Sequence, residues 1–340
     1  MAGHHRVFVL LGFHVNFYHS WRGDTPDEAG FGPDIRVIRQ ILHILEGANA
    51  AGLAACGYWD WDVYWTLQEI IPKHAPDILD AVRRRVERGL DEIVLGPYNN
   101  GANHAATARE FRTALAWAIE NPFGSGLKQL FGQVAPIYRP QEFMYTAGQN
   151  AILLEQGVRG VILAYAGIPF NSLSTFIPPL RPEHRYNPLW LRCQPGEPPV
   201  NLLPCISILD LLECGGLEAL LLHLRGLQKT GALESDVAVH INFDADNDAW
   251  LPLRLPRFLG WLPNSGGLQE YIRVVNKYPW AEFGLPSRYL EEHPPQVGVL
   301  VRQDLADGGF DGSYSWAEKY TSLLNWTEIE RSRLAGYRTN

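Results

Sequence analysis

Positive charge is in short supply along these 340 residues: 29 lysines and arginines stand against 37 aspartates and glutamates, for a formal net charge of −8 and a pI near 5.8. A chain of that sign has no electrostatic reason to seek phosphate backbones or anionic headgroups, so nucleic acid and membrane are set aside as partners. Cysteine is scarce too. The four present (Cys56, Cys193, Cys205, Cys214) form no CxxC pair, which argues against a disulfide-stapled scaffold and a structural zinc site. The longest apolar run near the start, VFVLLGF, is too short to span a membrane and lacks a small-residue cleavage site, so it reads as a strand and the expected compartment is the cytoplasm. Neither GxGxxG nor GxxxxGKS/T follows that run, and the usual signature of a nucleotide-binding α/β fold is missing. Internal repeats and low-complexity tracts are absent as well.

What is present is an alternation. Short apolar runs (RVFVLLGFHV, GLAACGYW, DEIVLGPY, QLFGQVA, RGVILAY, VNLLPCISI, DVAVHINF, QVGVLVR) are separated by amphipathic stretches with helical spacing. The latter are PDIRVIRQILHILEGA, APDILDAVRRRVERG, ATAREFRTALAWAIE, AGQNAILLEQG, GLEALLLHLRGLQKTG and GGLQEYIRVVNKY, several with proline at the start or glycine past the end. Strand and helix alternating over most of a chain that is 46% hydrophobic predict an α/β fold, a (β/α)7-type barrel, regular or distorted. The catalytic barrel is expected over 1–312, with a proline-rich lid insertion at about 167–200 and a C-terminal helical segment over 313–340.

In a parallel barrel the chemistry gathers where strands end. The residues just past the apolar runs here are His14 and Asn16; Tyr58, Trp59, Asp60 and Asp62; Tyr98, Asn99 and Asn100; Glu142 and Tyr145; and His240, Asn242, Asp244 and Asp246. These types bond hydroxyls, stack on rings or move protons. The densest stretch, VAVHINFDADNDAW, runs a strand pattern into three aspartates, Asp244, Asp246 and Asp248; the alternation of VHINF carries to Asp244, while the other two fall in a loop. Taken singly, each carboxylate also fits a solvated loop residue or a helix cap, and the Trp59–Trp61 cluster fits core packing as well as a sugar-binding wall.

Four segments in order resemble glycoside hydrolase family 57. FHVNFYHS resembles its HxHQP opening, LDEIVLGPYNNG sits where it has its IELLxxxYYxP strand, RPQEFMY resembles its WLxExxY segment, and FDADNDAW followed by LPRFL its YDAELFGHWW segment and EGPxFL tail. The resemblance implies a retaining glycoside hydrolase or transglycosylase acting on α-linked sugars, with Glu142 as nucleophile and Asp244 as acid/base. It departs at Asn16, where the family has its second histidine, at NDAW in place of FGHWW, and at Arg139, where the family often has tryptophan.

The substrate-binding set expected on this reading is His14, Asn16, Trp59, Asp60, Trp61, Tyr98, Asn99, Asn100, Arg139, Tyr145, His240, Asn242 and Asp246, with no cofactor and no metal. Asp244 is expected to be protonated, raised by a neighbouring carboxylate and partial burial. Retention requires the two carboxyl groups to lie about 5 to 5.5 Å apart. Two alternatives stay open: a metal-dependent α-mannosidase similar to family 38, in which His14-x-Asn16 stands for an HxD ligand pair, and a catalytically silent carbohydrate-binding barrel. Carbohydrate is the expected partner, and self-association is left open.

Overall fold

The computed structural model describes residues 5–17, 28–99, 101, 103, 106–146, 148–164, 181–192, 196, 198–206, 208–253 and 262–300. The first strand, β1 (Val7–Val15), is buried along its whole length and so has two apolar faces. Val7, Val9, Leu11, Phe13 and Val15 join the larger core cluster, whereas Phe8 and Leu10 join a second, separate one. That division is what a pleated strand in a barrel wall produces: one face looks out to a helix layer, the other into the enclosed interior.

The same parity runs round the sheet. β1 lies between β2 (Gly57–Trp61) and β8 (Val237–Asp244), and β3 (Asp91–Leu95), β4 (Ala135–Tyr138), β5 (Gly160–Ala164) and β7 (Val200–Cys205) follow β2 in parallel order. The two ends meet at one parallel bridge, Ile206 to Ile241, so the seven strands form a (β/α)7 barrel whose last seam is a contact rather than a full ladder. Below that seam, β6 (Leu189–Arg192) pairs antiparallel with β7 and carries β10 (Val297–Leu300) at its other edge, while β9 (Ala281–Phe283) adds to β1.

The outer face is covered by helices whose apolar positions recur at helical spacing. Gly32–Ala50 buries Ile35, Ile38, Ile41, Leu42 and Leu45; Pro76–Glu87, Leu217–Thr230 and Gly267–Lys277 do the same with their own stripes. Between Pro76–Glu87 and β3 sits a fully buried ion pair. Arg85 donates from Nε and Nη2 to the two oxygens of Asp91 at 2.7 and 2.9 Å, and the Trp59 indole donates to the same carboxylate at 2.8 Å. The helix Pro286–Glu292 packs Tyr289 and Leu290 into the interior cluster, and the Ser287 amide donates to Glu92 at the start of β3 at 3.0 Å, which stoppers the N-terminal end of the barrel.

Several expectations shift in detail. The fourth strand lies at APIY, not QLFGQVA: LKQLF forms a short helix that ends at Gly132, whose φ of 78° suits glycine, and Phe131 stacks on Trp61. Within the expected lid, residues 189–192 form β6; 165–180, 193–195 and 197 lie outside the described residues, as do Asn100 and the C-terminal segment. The segment after β2, Val63–Ile70, winds as a π-helix, which periodicity did not foretell. No helix among the described residues is long and apolar enough to cross a membrane.

One glycine makes the interior possible. At Gly12 a Cβ would overlap the Tyr58 ring and hydroxyl and the Asn242 amide, because Tyr58 on β2 reaches across β1 to β8 at that point. Gly12→Ala is expected to lower stability by about 2 to 3 kcal/mol through overpacking. In contrast Gly47→Ala, inside a helix with open space around it, should raise it by about 0.5 to 1 kcal/mol. Urea denaturation of both variants checks the pair, and equal behaviour of the two would contradict the packing argument.

Candidate active site at the barrel mouth

Above the apolar interior layer the inward positions turn polar. On β1 this is His14, on β2 Tyr58 and Asp60, on β8 His240 and Asn242, and just past β4 it is Arg139, all 4% exposed or less. Register explains the meeting: His14 lies level with Asp60 on one side and Asp244 on the other, and Gly12 level with Tyr58 and Asn242.

Asp60 sits at the centre. Its Oδ1 takes a 2.5 Å hydrogen bond from His14 Nδ1, its Oδ2 takes one of 3.0 Å from the Asn242 amide, and Arg139 Nε lies 3.7 Å away. Burial by itself raises such a carboxyl; here the charges of His14 and Arg139 and the two hydrogen bonds outweigh it, and Asp60 is held below the ordinary aspartate value. Arg139 then spans the interior. Its Nε donates to Asn242 Oδ1 at 3.2 Å, one Nη lies 3.4 Å from His14 Nε2 and donates to the Pro140 carbonyl at 3.1 Å, and its guanidinium stacks over the Phe143 ring at 4.2 Å.

One layer deeper, Asn242 donates to the Tyr58 oxygen at 3.0 Å, so the Tyr58 hydroxyl is left to donate to His240 Nε2, 2.7 Å away. Burial pushes His240 down to about 3, which keeps its imidazole neutral and an acceptor. The network draws its members from four strand ends and so ties β1, β2, β4 and β8 together over two adjacent levels.

At the rim the backbone becomes irregular. Glu142 lies in a short turn, Gln141–Phe143, where Glu142 and Phe143 have φ of 51° and 54°, a region side-chain-bearing residues rarely occupy. Glu142 is half-buried and its Oε1 accepts from the Gln141 amide at 3.0 Å. Asp244, also half-buried, is the last residue of β8; its carbonyl accepts from the Trp250 indole at 2.9 Å, and the next amide, Ala245, donates to the His14 carbonyl at 2.7 Å. Asn247 caps the following turn through the Ala249 amide. The three aspartates of this stretch therefore part company: Asp244 ends the strand, Asp246 is half-buried beyond it, and Asp248 is exposed.

The Asp246 carboxyl is raised. Burial first, then the charges of Asp244 and Asp34, push it up to about 7. Asp62, fully buried one alternation past Asp60, is pushed by burial to about 7 as well, against hydrogen bonds from the Thr66–Trp65 region. Asp62 stood among the strand-end residues but not in the expected substrate-binding set, and Asp34 in neither. The GYWDWD alternation, which puts Tyr58, Asp60 and Asp62 on one face, carried the signal for the first; Asp34, in the first turn of the helix Gly32–Ala50, had no such marker.

Other expected residues go elsewhere. Trp59 and Trp61 occupy the opposite face of β2, fully buried, packed on Phe13, on each other and on Phe131. They are outer core, not a sugar-binding wall, because strand parity turns them away from Asp60. Tyr145 is likewise buried in the outer cluster with its hydroxyl on Asn150. Tyr98 and Asn99 stand past β3, half-buried and exposed, and Asn16 is half-buried past β1. Among the described residues no group of three or more His, Cys, Asp or Glu side chains is arranged to hold a metal ion.

No family model matches the chain and no curated protein matches it significantly. Its fold is similar to that of several solved structures. A 4-α-glucanotransferase of Thermococcus litoralis aligns at TM-score 0.62 and 17% identity over 87% of this chain and 42% of that one. A GH57 branching enzyme of Thermococcus kodakaraensis aligns at 0.57 and 11% over 91% and 74%. An α-mannosidase of Enterococcus faecalis aligns at 0.53 and 14% over 88% and 31%. The chain thus spans about two fifths of the glucanotransferase. At these identities the likeness concerns the fold.

The buried carboxyls give stability a pH dependence. Folded Asp62 retains its proton up to about 7, whereas in the unfolded chain it loses it near 3.8, so the unfolded state binds fewer protons in that interval and stability falls as pH rises through it. Asp62→Asn removes this loss. Its stability relative to the natural protein should be greater at pH 8 than at pH 5, by on the order of 2 kcal/mol. Urea melts of both proteins at the two pH values measure it; a difference independent of pH would contradict the assignment.

Proposed function

We propose that the chain is a retaining glycoside hydrolase or transglycosylase acting on α-linked sugars, with Glu142 as nucleophile and Asp244 as acid/base. The observation that carries this reading is the 3.2 Å hydrogen bond from Arg139 to Asn242. It fastens the end of β4, three residues before Glu142, to β8 two residues before Asp244, so the rims bearing the two carboxylates are held to each other across the interior. The likeness in fold to a 4-α-glucanotransferase and a GH57 branching enzyme, with the motif order of the chain, supports α-glycans as the substrate class.

In the first step the Glu142 carboxylate attacks the anomeric carbon while Asp244 gives its proton to the departing oxygen. In the second, Asp244 takes a proton from water or from an acceptor hydroxyl, which attacks the same carbon and releases Glu142. Asp246, raised to about 7 beside Asp244, is a proton store within the same loop. The unusual backbone at Glu142 and Phe143 supports a site in which position is fixed at the expense of local strain. His14, Asp60, Asn242 and Arg139 form a buried polar layer beneath the two carboxylates and hold the strand ends that bear them.

The metal-dependent alternative fits the residues poorly. His14 has one ring nitrogen on Asp60 and the other facing the Arg139 guanidinium, so a divalent cation at that point would meet a positive charge. Asp60 is fully engaged by its neighbours.

Glu142→Gln and Asp244→Asn should each lower turnover of chromogenic α-glycosides or maltooligosaccharides about a thousandfold with an unchanged circular dichroism spectrum. Normal turnover in either variant ends the assignment. Saturable binding by the natural protein without turnover of any of these compounds would identify a carbohydrate-binding barrel instead.

A further inference from the structure

We propose that a strip of aromatic side chains leading away from the mouth, Tyr64, Tyr98, Trp117 and Phe123, is an accessory binding surface for an uncharged glycan chain. The proposal rests on the reading that the mouth acts on α-linked glycans and says where the remainder of a long substrate lies.

The rings form a continuous series. Tyr64 is 5.9 Å from Tyr98, Tyr98 is 5.3 Å from Trp117, and Trp117 is 6.0 Å from Phe123, centroid to centroid. Tyr64, Trp117 and Phe123 are 43%, 36% and 59% exposed. Isolated exposed aromatics are ordinary on a protein surface; a connected row of them marks a place where something else binds. The strip begins at the candidate site: Tyr98 follows β3 at the rim, and the Tyr64 amide, just past β2, donates to the Tyr98 carbonyl at 2.6 Å.

Two features favour a sugar chain over a protein surface. Successive rings from Tyr98 to Phe123 are nearly perpendicular, at 80° and 85°, so they touch edge to face without stacking their faces away, and ring faces remain for the C–H side of a sugar. Apart from Glu69, which accepts from the Gln68 amide at 3.4 Å, the polar groups that hold the strip are neutral amides and hydroxyls. Gln68 Oε1 accepts from Ser125 Oγ at 3.2 Å and lies 3.5 Å from the Tyr98 hydroxyl; Asn121 Oδ1 accepts from the amides of Phe123 and Ser125 at 3.0 and 3.2 Å, and its own amide donates to the Trp117 carbonyl at 3.0 Å. Gln129 clasps the same loop from beneath, accepting from Asn121 and Gly126 and donating to the Asn121 carbonyl. Phe123 is thus displayed to water by a loop held at both ends. Within the chain that display gains nothing, and a preorganised ring lowers the ordering cost of binding.

The test is affinity electrophoresis through gels containing soluble amylose, with turnover of a short chromogenic α-glucoside measured alongside. The doubly substituted Trp117→Ala/Phe123→Ala protein should bind amylose at least about fivefold more weakly, with unchanged turnover of the short substrate. Trp117→Phe should retain most of the affinity. Undiminished amylose binding by the double variant, or no amylose binding by the natural protein, overturns the proposal. So does self-association in sedimentation that the double variant loses, which would assign the strip to a second copy of this chain. Strip-dependent binding of amylose by a protein that turns over no glycoside would uphold the strip and defeat the reading of the mouth; glycoside turnover by a protein whose amylose binding the double variant leaves undiminished would do the reverse.

Discussion

A carboxylate with no exposed surface must be answered by donors, and the upper half of this barrel is arranged around answering Asp60. His14 and Asn242 bond its two oxygens and Arg139 brings a compensating charge within 3.7 Å. Removing one member of such a set leaves a buried charge or dipole unpaired, which costs far more than the hydrogen bond itself contributes. The network therefore fixes the relative height of strands that share no turn. Because among the described residues the β7–β8 seam is closed by a single bridge, Ile206 to Ile241, this internal cross-bracing from β1, β2, β4 and β8 reinforces the mouth from within.

The interior is divided into levels. Apolar side chains and the helix Pro286–Glu292, with Glu92 held by Ser287, fill the lower part, a neutral Tyr58–His240 pair makes the transition, and the cluster of charged groups lies at the level of His14. Such an order places low dielectric beneath the polar layer and holds the rim carboxylates between protein and solvent, the environment in which a carboxyl such as Asp246 is raised toward neutrality. Outside the barrel the same strands serve a different purpose: Trp59, Arg85 and Asp91 form a buried polar contact within the outer helix layer, unrelated to the mouth.

Much of the candidate site was legible because strand ends are legible. GFHV, GYWD and VHINFD each announce a polar residue on a fixed parity after apolar ones, and His14, Asp60, Asn242 and Asp244 fell where that parity puts them. Trp59 and Trp61 were expected to share a face with Asp60, which strand parity forbids: adjacent residues on a strand face opposite ways, and composition alone does not say which way is inward. The fourth strand was displaced because LKQLF satisfies helical and strand spacing equally over so few residues, and Gly132 decided between them.

By itself the sequence determined the alternation of strands and helices, the acidic surface, and the clustering of hydrogen-bonding residues at strand ends, since these depend only on local periodicity and on residue type. Tertiary structure decided which faces look inward, that Arg139 would bridge to Asn242 rather than lie in solvent, and that Tyr58 could pass over β1 at Gly12 to reach His240. Those outcomes depend on side chains from strands up to 184 residues apart meeting at one height, and sheet register, which no short stretch encodes, sets that height.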